Sequence, residues 1–287
     1  MVMNLSVARS QNDLREHIAG WRRKGLRIGF VPTMGALHDG HLSLVRLAKK
    51  HADRVVGSIY VNPTQFAPGE DFEAYPRNEA TDLANLATAG ADLAYLPTDA
   101  EMYPSGSLTD VRVEQMSDLL DGGPRPHFFY GVTTIVARLF LHVAPDVAVF
   151  GEKDFQQLQI IRRMTRDLGF PIDIIGGPTF RDADGLAQSS RNAYLSDTDR
   201  HKAGALSAAL HRARIRLRNG ADIGPALSEA CAFLTAAGWD QVDYVSLVKS
   251  DTLEHWPDDQ PLNLKEARLL GAGWVGTTRL IDNVALI

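Results

Sequence analysis

The sequence predicts an α/β protein in which a doubly wound parallel sheet is followed by a smaller α+β domain. Through about residue 175, short apolar runs alternate with amphipathic helical patterns. This alternation implies right-handed βαβ units and a mostly parallel sheet covered on both faces. After about residue 180, two helical segments precede three strand-like runs. We therefore predict a larger domain over 1–179 and a smaller one over 180–287.

Five buried strands are predicted in the larger domain, because each run is short, apolar and bounded by turn residues or a helical pattern. They cover 26–31, 55–61, 91–96, 146–151 and 172–176. The helices predicted between them cover 41–52, 78–90, 132–143 and 155–169, two of which end at glycines, Gly90 and Gly169.

The smaller domain is predicted to begin with a long helix over 196–220, which has Ser196 as its N-cap and Gly220 as its C-cap. A second helix follows over 224–238. The last three apolar runs predict a small mixed or antiparallel sheet, formed by 242–248, 267–275 and 277–286.

Composition narrows the class of protein. The formal net charge is −5 and no block of basic residues occurs, which argues against a nucleic-acid partner. The single cysteine, Cys231, lies on an apolar helical face, where a core position is expected and neither a disulfide nor a zinc cluster is indicated. The N-terminal segment has no continuous apolar stretch, and no run approaches the roughly 18 apolar residues of a membrane span. We expect a cytoplasmic protein without a membrane partner.

His38-Asp39-Gly40-His41 is the first candidate for chemistry. It follows the first predicted strand and opens the next helix, where an open α/β sheet binds its ligands. A helix N-terminus offers free backbone N–H groups and a partial positive charge, which favour phosphate. The two imidazoles could donate hydrogen bonds to phosphate oxygens, and Gly35 and Gly40 would let a ligand approach the backbone.

Other interpretations of these residues stay open. The histidines could be surface residues at a helix start, or two ligands of a zinc site that lacks an evident third. The spacing from Gly35 to Gly40 resembles a Walker A loop but lacks its lysine and its Ser/Thr. A literal G-x-G-x-x-G over 271–276 precedes a strand-like run instead of a helix, so we interpret its glycines as part of a β-turn or bulge.

Two further loops and two glutamines carry polar groups that suit a nucleotide or a small acid. The loop 151–154 follows the fourth predicted strand, and its lysine could bind phosphate as a point charge. The segment 189–192 could bind a triphosphate through two hydroxyls and a guanidinium on a mobile loop. Gln65 and Gln157 could hydrogen-bond hydroxyls or a carboxylate. Each could also be an ordinary solvated loop, but several such loops at one sheet edge favour a nucleotide site.

Five long strings occur in order from about residue 30 to the C-terminus: PTMGALHDGHLSLVRLA, VNPTQFAPGEDFEAYPR, FGEKDFQQLQIIRRM, ADGLAQSSRNAYLS and GTTRLIDNVAL. Together they resemble the pantothenate synthetase family. The HxGH element alone is typical of the wider nucleotidyltransferase superfamily, which includes class I aminoacyl-tRNA synthetases, and the other strings narrow the resemblance.

The resemblance implies a two-step reaction on a Rossmann-like domain that binds nucleotide and pantoate, with the smaller domain as a lid. ATP and pantoate would give pantoyl adenylate and pyrophosphate, and the amine of β-alanine would then release AMP and form pantothenate. A homodimer and a requirement for Mg²⁺ are implied as well.

The resemblance also assigns roles to residues. His38, His41 and Lys153 would be catalytic, with His41 as the proton donor. Gln65 and Gln157 would hold pantoate, Asn62 and Tyr75 would lie near pantoate and β-alanine, and Asp82 would be a magnesium contact. The ATP site would be lined by Met34, Gly35, Ala36, Leu37, His38, Asp39, Gly40, His41, Gly151, Glu152, Lys153, Asp154, Phe180, Gln188, Ser189, Ser190 and Arg191.

Two departures from the family pattern stand out. Gln188 occupies a position where the family usually has Met or Leu, so ATP affinity could differ. In the family string R-P-x-H-F-x-G, this chain has its histidine one place early, at His127, and Phe128 in the usual position. Two other functions remain as alternatives: a nucleotidyltransferase that makes a stable dinucleotide, and a nucleotide-binding protein without catalysis.

Overall fold

The computed structural model describes residues 5–67, 69, 70, 72–257 and 259–287, so Pro68 and Asp71 of the second string lie outside the described residues. The chain forms two compact units. The first comprises Met1–Asp118, Gly122–Glu152 and Ile160–Pro178, and the second comprises Leu119–Asp121, Lys153–Gln159 and Thr179–Ile287. The units differ from the predicted domains in that two short segments, 119–121 and 153–159, group with the C-terminal residues.

The first unit is built on a parallel sheet, which in the described residues has six strands. The strands are β1 (Ser6–Ala8), β2 (Ile28–Thr33), β3 (Arg54–Ile59), β4 (Leu93–Tyr95), β5 (Val147–Gly151) and β6 (Asp173–Gly177). Their order is β1-β4-β3-β2-β5-β6, and all their pairings are parallel. The predicted doubly wound α/β fold is confirmed.

The strand order reverses between β2 and β5, which are neighbours in the sheet although β3 and β4 lie between them in the chain. Crevices form outside the carboxyl ends of strands at such a reversal, because the two connections leave in opposite directions. The loop after β2 begins at Met34 and the loop after β5 begins at Glu152. Both predicted nucleotide loops of the first unit therefore start at this switch point.

Helices connect these strands: α1 (Gln11–Arg22), α2 (Asp39–Ala48), α3 (Glu79–Ala89), α4 (Asp99–Met102), α5 (Pro126–Val143) and α6 (Phe155–Asp167). α2 packs its apolar side, which includes Leu42 and Val45, into the core beneath the sheet. Gly90 ends α3 in the left-handed conformation at φ 93°, as predicted. No helix in the described part of the chain is both long and apolar enough to cross a membrane.

From Thr179 onward, the described residues of the second unit contain three α-helices, α7 (Asp197–Ala203), α8 (Ala205–Arg218) and α9 (Ile223–Ala236). They pack on an antiparallel sheet of β7 (Gln241–Lys249), β8 (Ala267–Val275) and β9 (Thr278–Ala285). The small sheet is confirmed as antiparallel. The single helix predicted over 196–220 is wrong, because the helix is interrupted at Gly204. A glycine lowers helix propensity, and a Cβ there would lie 3.2 Å from Asp184 Oδ2.

The G-x-G-x-x-G glycines have two different explanations. Gly276 lies in the turn between β8 and β9 with φ 58°, as predicted. Gly271 lies within β8 in regular pairing, so the prediction was wrong for it. Gly273 also lies within β8 but pairs with Val242 next to a bulge-type register shift between Val242 and Tyr244, as predicted. A Cβ on Gly273 would lie 2.5 Å from the carbonyl oxygen of Gln241, so close packing across the sheet excludes a side chain there.

A partly exposed carboxylate fixes the start of β2. Asp146 accepts hydrogen bonds from the Arg22 guanidinium at 2.7 and 2.8 Å and from the backbone N–H of Ile28 at 2.6 Å. Burial alone would raise the pKa of Asp146, but the bonds from Arg22 and Ile28 outweigh it and lower the pKa below its ordinary value. The ionised carboxylate therefore stabilises the folded state.

We expect Asp146→Asn to lower the free energy of unfolding by about 1–2 kcal/mol near neutral pH, because hydrogen bonds to a charged group are lost. A lowered folded-state pKa contributes stability above the unfolded pKa and loses it as pH falls through the folded value. The difference between the two proteins should therefore shrink on acidification. Denaturant unfolding of both proteins between about pH 7 and pH 3 measures it. A difference that stays constant over this range would contradict the assignment.

Candidate active-site residues

The loop after β2 has two consecutive residues in the left-handed region, Gly35 at φ 86° and Ala36 at φ 51°. This turn points two backbone N–H groups at one carboxylate: Ala36 N donates to Asp82 Oδ2 at 3.0 Å, and Leu37 N donates to Asp82 Oδ1 at 2.8 Å. A Cβ on Gly35 would lie 2.9 Å from Asp82 Oδ2. Glycine is therefore required here both by the backbone angle and by the close carboxylate.

Asp82 lies on α3 and is 3% exposed. Each of its oxygens already accepts one loop N–H, so the carboxylate acts as a clamp on residues 36 and 37. The described residues contain no group of three or more His, Cys, Asp or Glu side chains that could hold a metal ion. The magnesium contact predicted for Asp82 stays a prediction.

The histidine pair closes the N-terminus of α2. His38 is the N-cap, and its Nδ1 accepts from Gly40 N at 3.2 Å. In return His41 Nδ1 accepts from His38 N at 3.4 Å, and the two ring centroids are 4.1 Å apart. The sequence predicted free N–H groups at this helix start. That prediction was wrong for these amides, because the imidazoles themselves bind them.

The hydrogen bonds determine which ring nitrogen carries the proton. A neutral imidazole has one donor and one acceptor nitrogen, and an Nδ1 that accepts an N–H bond has no proton. The proton of each neutral ring is therefore on Nε2 for both His38 and His41. The helix start thus presents two Nε2–H donors in place of backbone amides. Such donors suit phosphate oxygens, and they can strengthen as negative charge develops.

The predicted pantoate residues form a buried network after β3. Asn62 is 1% exposed, and its Nδ2 donates to Gln65 Oε1 at 2.9 Å and to the carbonyl of Gly131 at 3.2 Å. Its Oδ1 accepts from the Tyr103 hydroxyl at 2.7 Å and from Thr64 Oγ1 at 3.1 Å. All four hydrogen-bonding positions of the Asn62 amide are used. This geometry favours a role in orienting Gln65 over the predicted contact with substrate.

The orientation of Gln65 follows from this bond. Because Gln65 Oε1 accepts from Asn62, its Nε2 is the group left to donate to a ligand. Burial raises the pKa of Tyr103, so its phenol keeps the proton that it donates to Asn62. Tyr103 carried no recognisable signal in the sequence, since it lies 41 residues from Asn62. Tyr75, which was also predicted to lie here, is 5% exposed. Its ring packs edge-on against the ring of Phe66, with 5.9 Å between the two centroids.

The altered R-P-x-H-F-x-G string lies at the start of α5. Arg125 forms two hydrogen bonds with Glu70, at 2.8 and 2.7 Å, and its guanidinium lies 4.2 Å from the centroid of the Phe128 ring. Phe128 therefore packs against a cation at the position where the family has its histidine. His127 Nε2 is buried and has no hydrogen-bond partner among the described residues.

Lys153 belongs to the second unit, in the turn before α6. Its Nζ lies 3.5 Å from Asp154 Oδ1, and its side chain is 19% exposed. Its carbonyl oxygen accepts from Asn283 Nδ2 at 2.8 Å. Gln157, predicted to hold pantoate, is half-buried on α6 and has no side-chain hydrogen bond within the described ranges.

The predicted phosphate segment 189–192 follows a small hairpin. Gln188 N donates to the carbonyl of Phe180 at 2.9 Å, and the Gln188 amide donates to Asp182 Oδ1 at 2.9 Å. The polar residue at 188 is thus bound by a carboxylate of the hairpin, while the Phe180 ring is 41% exposed. Ser189 caps the short 3₁₀ helix over 190–194, accepting from Arg191 N at 3.3 Å.

The predicted site residues divide between the two units. The first unit holds Met34, Gly35, Ala36, Leu37, His38, Asp39, Gly40, His41, Asn62, Gln65, Tyr75, Asp82, Gly151 and Glu152. The second holds Lys153, Asp154, Gln157, Phe180, Gln188, Ser189, Ser190 and Arg191. That both sets serve one nucleotide stays a prediction.

A doubly wound sheet with paired histidines at the N-terminus of the helix after β2 defines an open α/β protein of the class that binds its ligands at a switch point. Comparisons with known proteins identify the family. A family model described as pantoate-beta-alanine ligase matches residues 6–285. The chain belongs to this family.

Individual relatives are similar to this chain over almost its whole length. A pantothenate synthetase of Hyphomonas neptunium is 59% identical over 98% of this chain and 97% of its own. The crystal structure of the Thermus thermophilus pantothenate synthetase is 44% identical, with a TM-score of 0.91 over 98% of this chain and 99% of its own. A pantoate-beta-alanine ligase of Francisella tularensis, solved with beta-gamma ATP and beta-alanine, is 32% identical, with a TM-score of 0.81 over 99% of this chain and 98% of its own.

We expect Asp82→Asn to impair adenylate formation without changing the response to magnesium. The amide would turn an NH₂ group toward a loop N–H, which costs about 1–3 kcal/mol for an unsatisfied buried donor. The measurements are the free energy of unfolding and the magnesium concentration that gives half-maximal activity. Glu79→Gln, an exposed change on the same helix, is the control. A raised magnesium requirement in Asp82→Asn alone would support a metal contact instead.

Tyr103→Phe should weaken pantoate binding more than it slows turnover, because it removes a hydrogen bond that holds Asn62 and through it Gln65. We expect the KM for pantoate to rise about 3–10-fold, the effect of losing about one hydrogen bond. Steady-state kinetics with pantoate varied measures this. Tyr130→Phe removes an exposed hydroxyl that binds Asp118 and should leave KM unchanged. Equal kinetics for both variants would count against the orienting network.

Proposed function

We propose that this chain condenses pantoate with β-alanine at the expense of ATP, giving pantothenate, AMP and pyrophosphate through pantoyl adenylate. Membership of the pantoate-beta-alanine ligase family over 6–285 supports the reaction. The structural observation that carries it is the histidine pair at the N-terminus of α2, whose Nε2–H groups are fixed by the backbone. The loop that presents them is held by Asp82.

In the first step, a carboxylate oxygen of pantoate attacks the α-phosphorus of ATP. The new oxygen–phosphorus bond forms as the bond to the β-phosphate oxygen breaks and pyrophosphate leaves. Such a reaction needs positioning and neutralisation of charge more than covalent catalysis. His38 and His41 donate their Nε2 protons in hydrogen bonds to phosphate oxygens, and Lys153 supplies a positive charge for developing negative charge.

In the second step, the neutral amine of β-alanine attacks the acyl carbon of pantoyl adenylate. The carbon–oxygen bond to AMP breaks, an amide forms, and one amine proton is released. The Nε2–H of Gln65 suits a hydroxyl or carboxylate oxygen of pantoate, since its Oε1 is already bound. Gln157, Tyr75 and the residues of the ATP site keep the roles that the family resemblance implies.

Four further features complete the proposal, and all except the cytoplasmic location come from the family resemblance. ATP enters as its magnesium complex, so the metal belongs to the substrate, and no step is assigned to a metal bound by the protein. The chain forms a homodimer, which light scattering after gel filtration tests directly. Its place of action is the cytoplasm, and the second unit acts as a lid.

The reaction is tested by following both products separately. Pyrophosphate release should require pantoate, and AMP release should in addition require β-alanine. A transferase that makes a stable dinucleotide would release pyrophosphate without either. A non-catalytic protein would bind ATP without releasing pyrophosphate at all.

His41→Asn should slow adenylate formation by about 10²–10³, as loss of one preorganised donor typically does. The asparagine oxygen can still accept from His38 N, so the helix start is retained while the Nε2–H donor is lost. Single-turnover formation of pantoyl adenylate is the measurement, and His51→Asn, an exposed histidine after α2, is the control. A reduction of less than about threefold would refute the catalytic role.

A further inference from the structure

Asn283 is a buried polar residue on β9 with no role in the reaction described above. It is 2% exposed, its Nδ2 donates to the carbonyl oxygen of Lys153 at 2.8 Å, and its Oδ1 accepts from Arg268 Nε at 2.7 Å. The Arg268 guanidinium also lies 4.0 Å from the centroid of the Phe155 ring. Asn283 therefore links β8, β9 and the turn that carries Lys153, all within the second unit.

The bond to Lys153 is not required by the sheet. The β8–β9 ladder runs from Arg268 to Val275, and Asn283 takes part in it through its backbone opposite Leu270. Its side-chain amide leaves the ladder and reaches a residue 130 positions away. A buried amide is costly unless its donors and acceptors are bonded, so this contact has a single well-defined geometry.

The preceding residue, Asp282, binds the hairpin that leads to the other predicted phosphate segment. Asp282 is 4% exposed and accepts two hydrogen bonds from the Arg181 guanidinium, at 2.6 and 2.8 Å. Its Oδ1 also accepts from Asn283 N at 2.7 Å. Arg181 begins the hairpin that precedes Ser189. Two consecutive residues of β9 therefore bind the carbonyl of Lys153 and the side chain of Arg181, which lies in the hairpin that precedes the 189–192 segment.

We propose that Asn283 is a positioning residue for Lys153, and that Arg268 supports it. The inference rests on the proposed role of Lys153 as a charge donor to phosphate. The lysine stem is flexible, and its ammonium has a nearby alternative partner in Asp154 at 3.5 Å. Fixing the main chain of Lys153 limits the positions that the ammonium can reach. Catalytic groups lose effectiveness when misplaced by about 1 Å, so the anchor affects the rate of the chemical step.

A double-mutant cycle separates positioning from general stability. Single-turnover formation of pantoyl adenylate is measured for the wild type, Asn283→Ala, Lys153→Ala and the double variant. We expect Lys153→Ala to lower the rate by about 10²–10³. Asn283→Ala should lower it about 10-fold in the wild type but less than about 2-fold when Lys153 is already absent, because the two act as a unit. Asn219→Ala, an exposed asparagine at the end of α8, is the control.

Each outcome has a distinct meaning. If Asn283→Ala reduces the rate by the same factor in both backgrounds, or does not reduce it at all, the positioning role is refuted. If Lys153→Ala itself leaves the rate unchanged, the proposed role of Lys153 fails first. Should Asn283→Ala not fold, Arg268→Met takes its place in the cycle, since it removes the bond to Asn283 Oδ1 but retains packing on Phe155. The same coupling with Lys153 is expected.

Discussion

The candidate site depends on the hydrogen bonds between two imidazoles and the first amides of α2. A helix start has unpaired N–H groups and a partial positive charge, and many phosphate sites use these amides directly. Here His38 and His41 bind the amides through Nδ1, which leaves the Nε2 protons as the donors. A donor at the tip of a ring lies farther from the helix than an amide, and it can also transfer a proton. The same bonds that cap the helix therefore define its chemistry.

The rigidity of the candidate site follows from the hydrogen bonds of its buried polar side chains. Asp82, Asn62 and Asn283 are each at most 3% exposed, and each binds a backbone or side-chain group of a residue that is predicted to meet a ligand. Since leaving such a group unpaired costs more than a typical bond gains, each contact has little freedom. These few side chains therefore hold the loops that are predicted to bind ligand in fixed positions. Asn62 and Asp82, which the resemblance assigns to substrate and metal, also act as such supports.

The sequence predicted the sheet correctly because its strands have local signals, and the loops proposed for chemistry were found from signals of the same kind. β2 to β6 are short apolar runs between helical patterns, and Gly90 stands where a helix must end. β1 was missed because three residues show no periodicity, and the break at Gly204 was missed because the helical pattern continues through it. Asp82 binds the backbone of residues 36 and 37, which precede it in the sequence by 46 and 45 positions. No local sequence pattern indicates contacts over such a separation.

Ligand-binding residues are easier to find in a sequence than supporting residues, and the reason is physical. The same reason affects which positions can vary within the family. Residues that bind ligand must lie at the carboxyl ends of strands or at helix starts, so they occur in recognisable strings. A supporting residue only has to reach one of them, and it can come from any element that packs nearby, as Asn283 does from the last strand. Gln188 illustrates the consequence. Its polar side chain replaces an apolar one in a family string, and its amide donates a hydrogen bond to Asp182 in the same hairpin. Variation within the strings therefore has to be interpreted from the partner of each side chain before it is interpreted from the ligand.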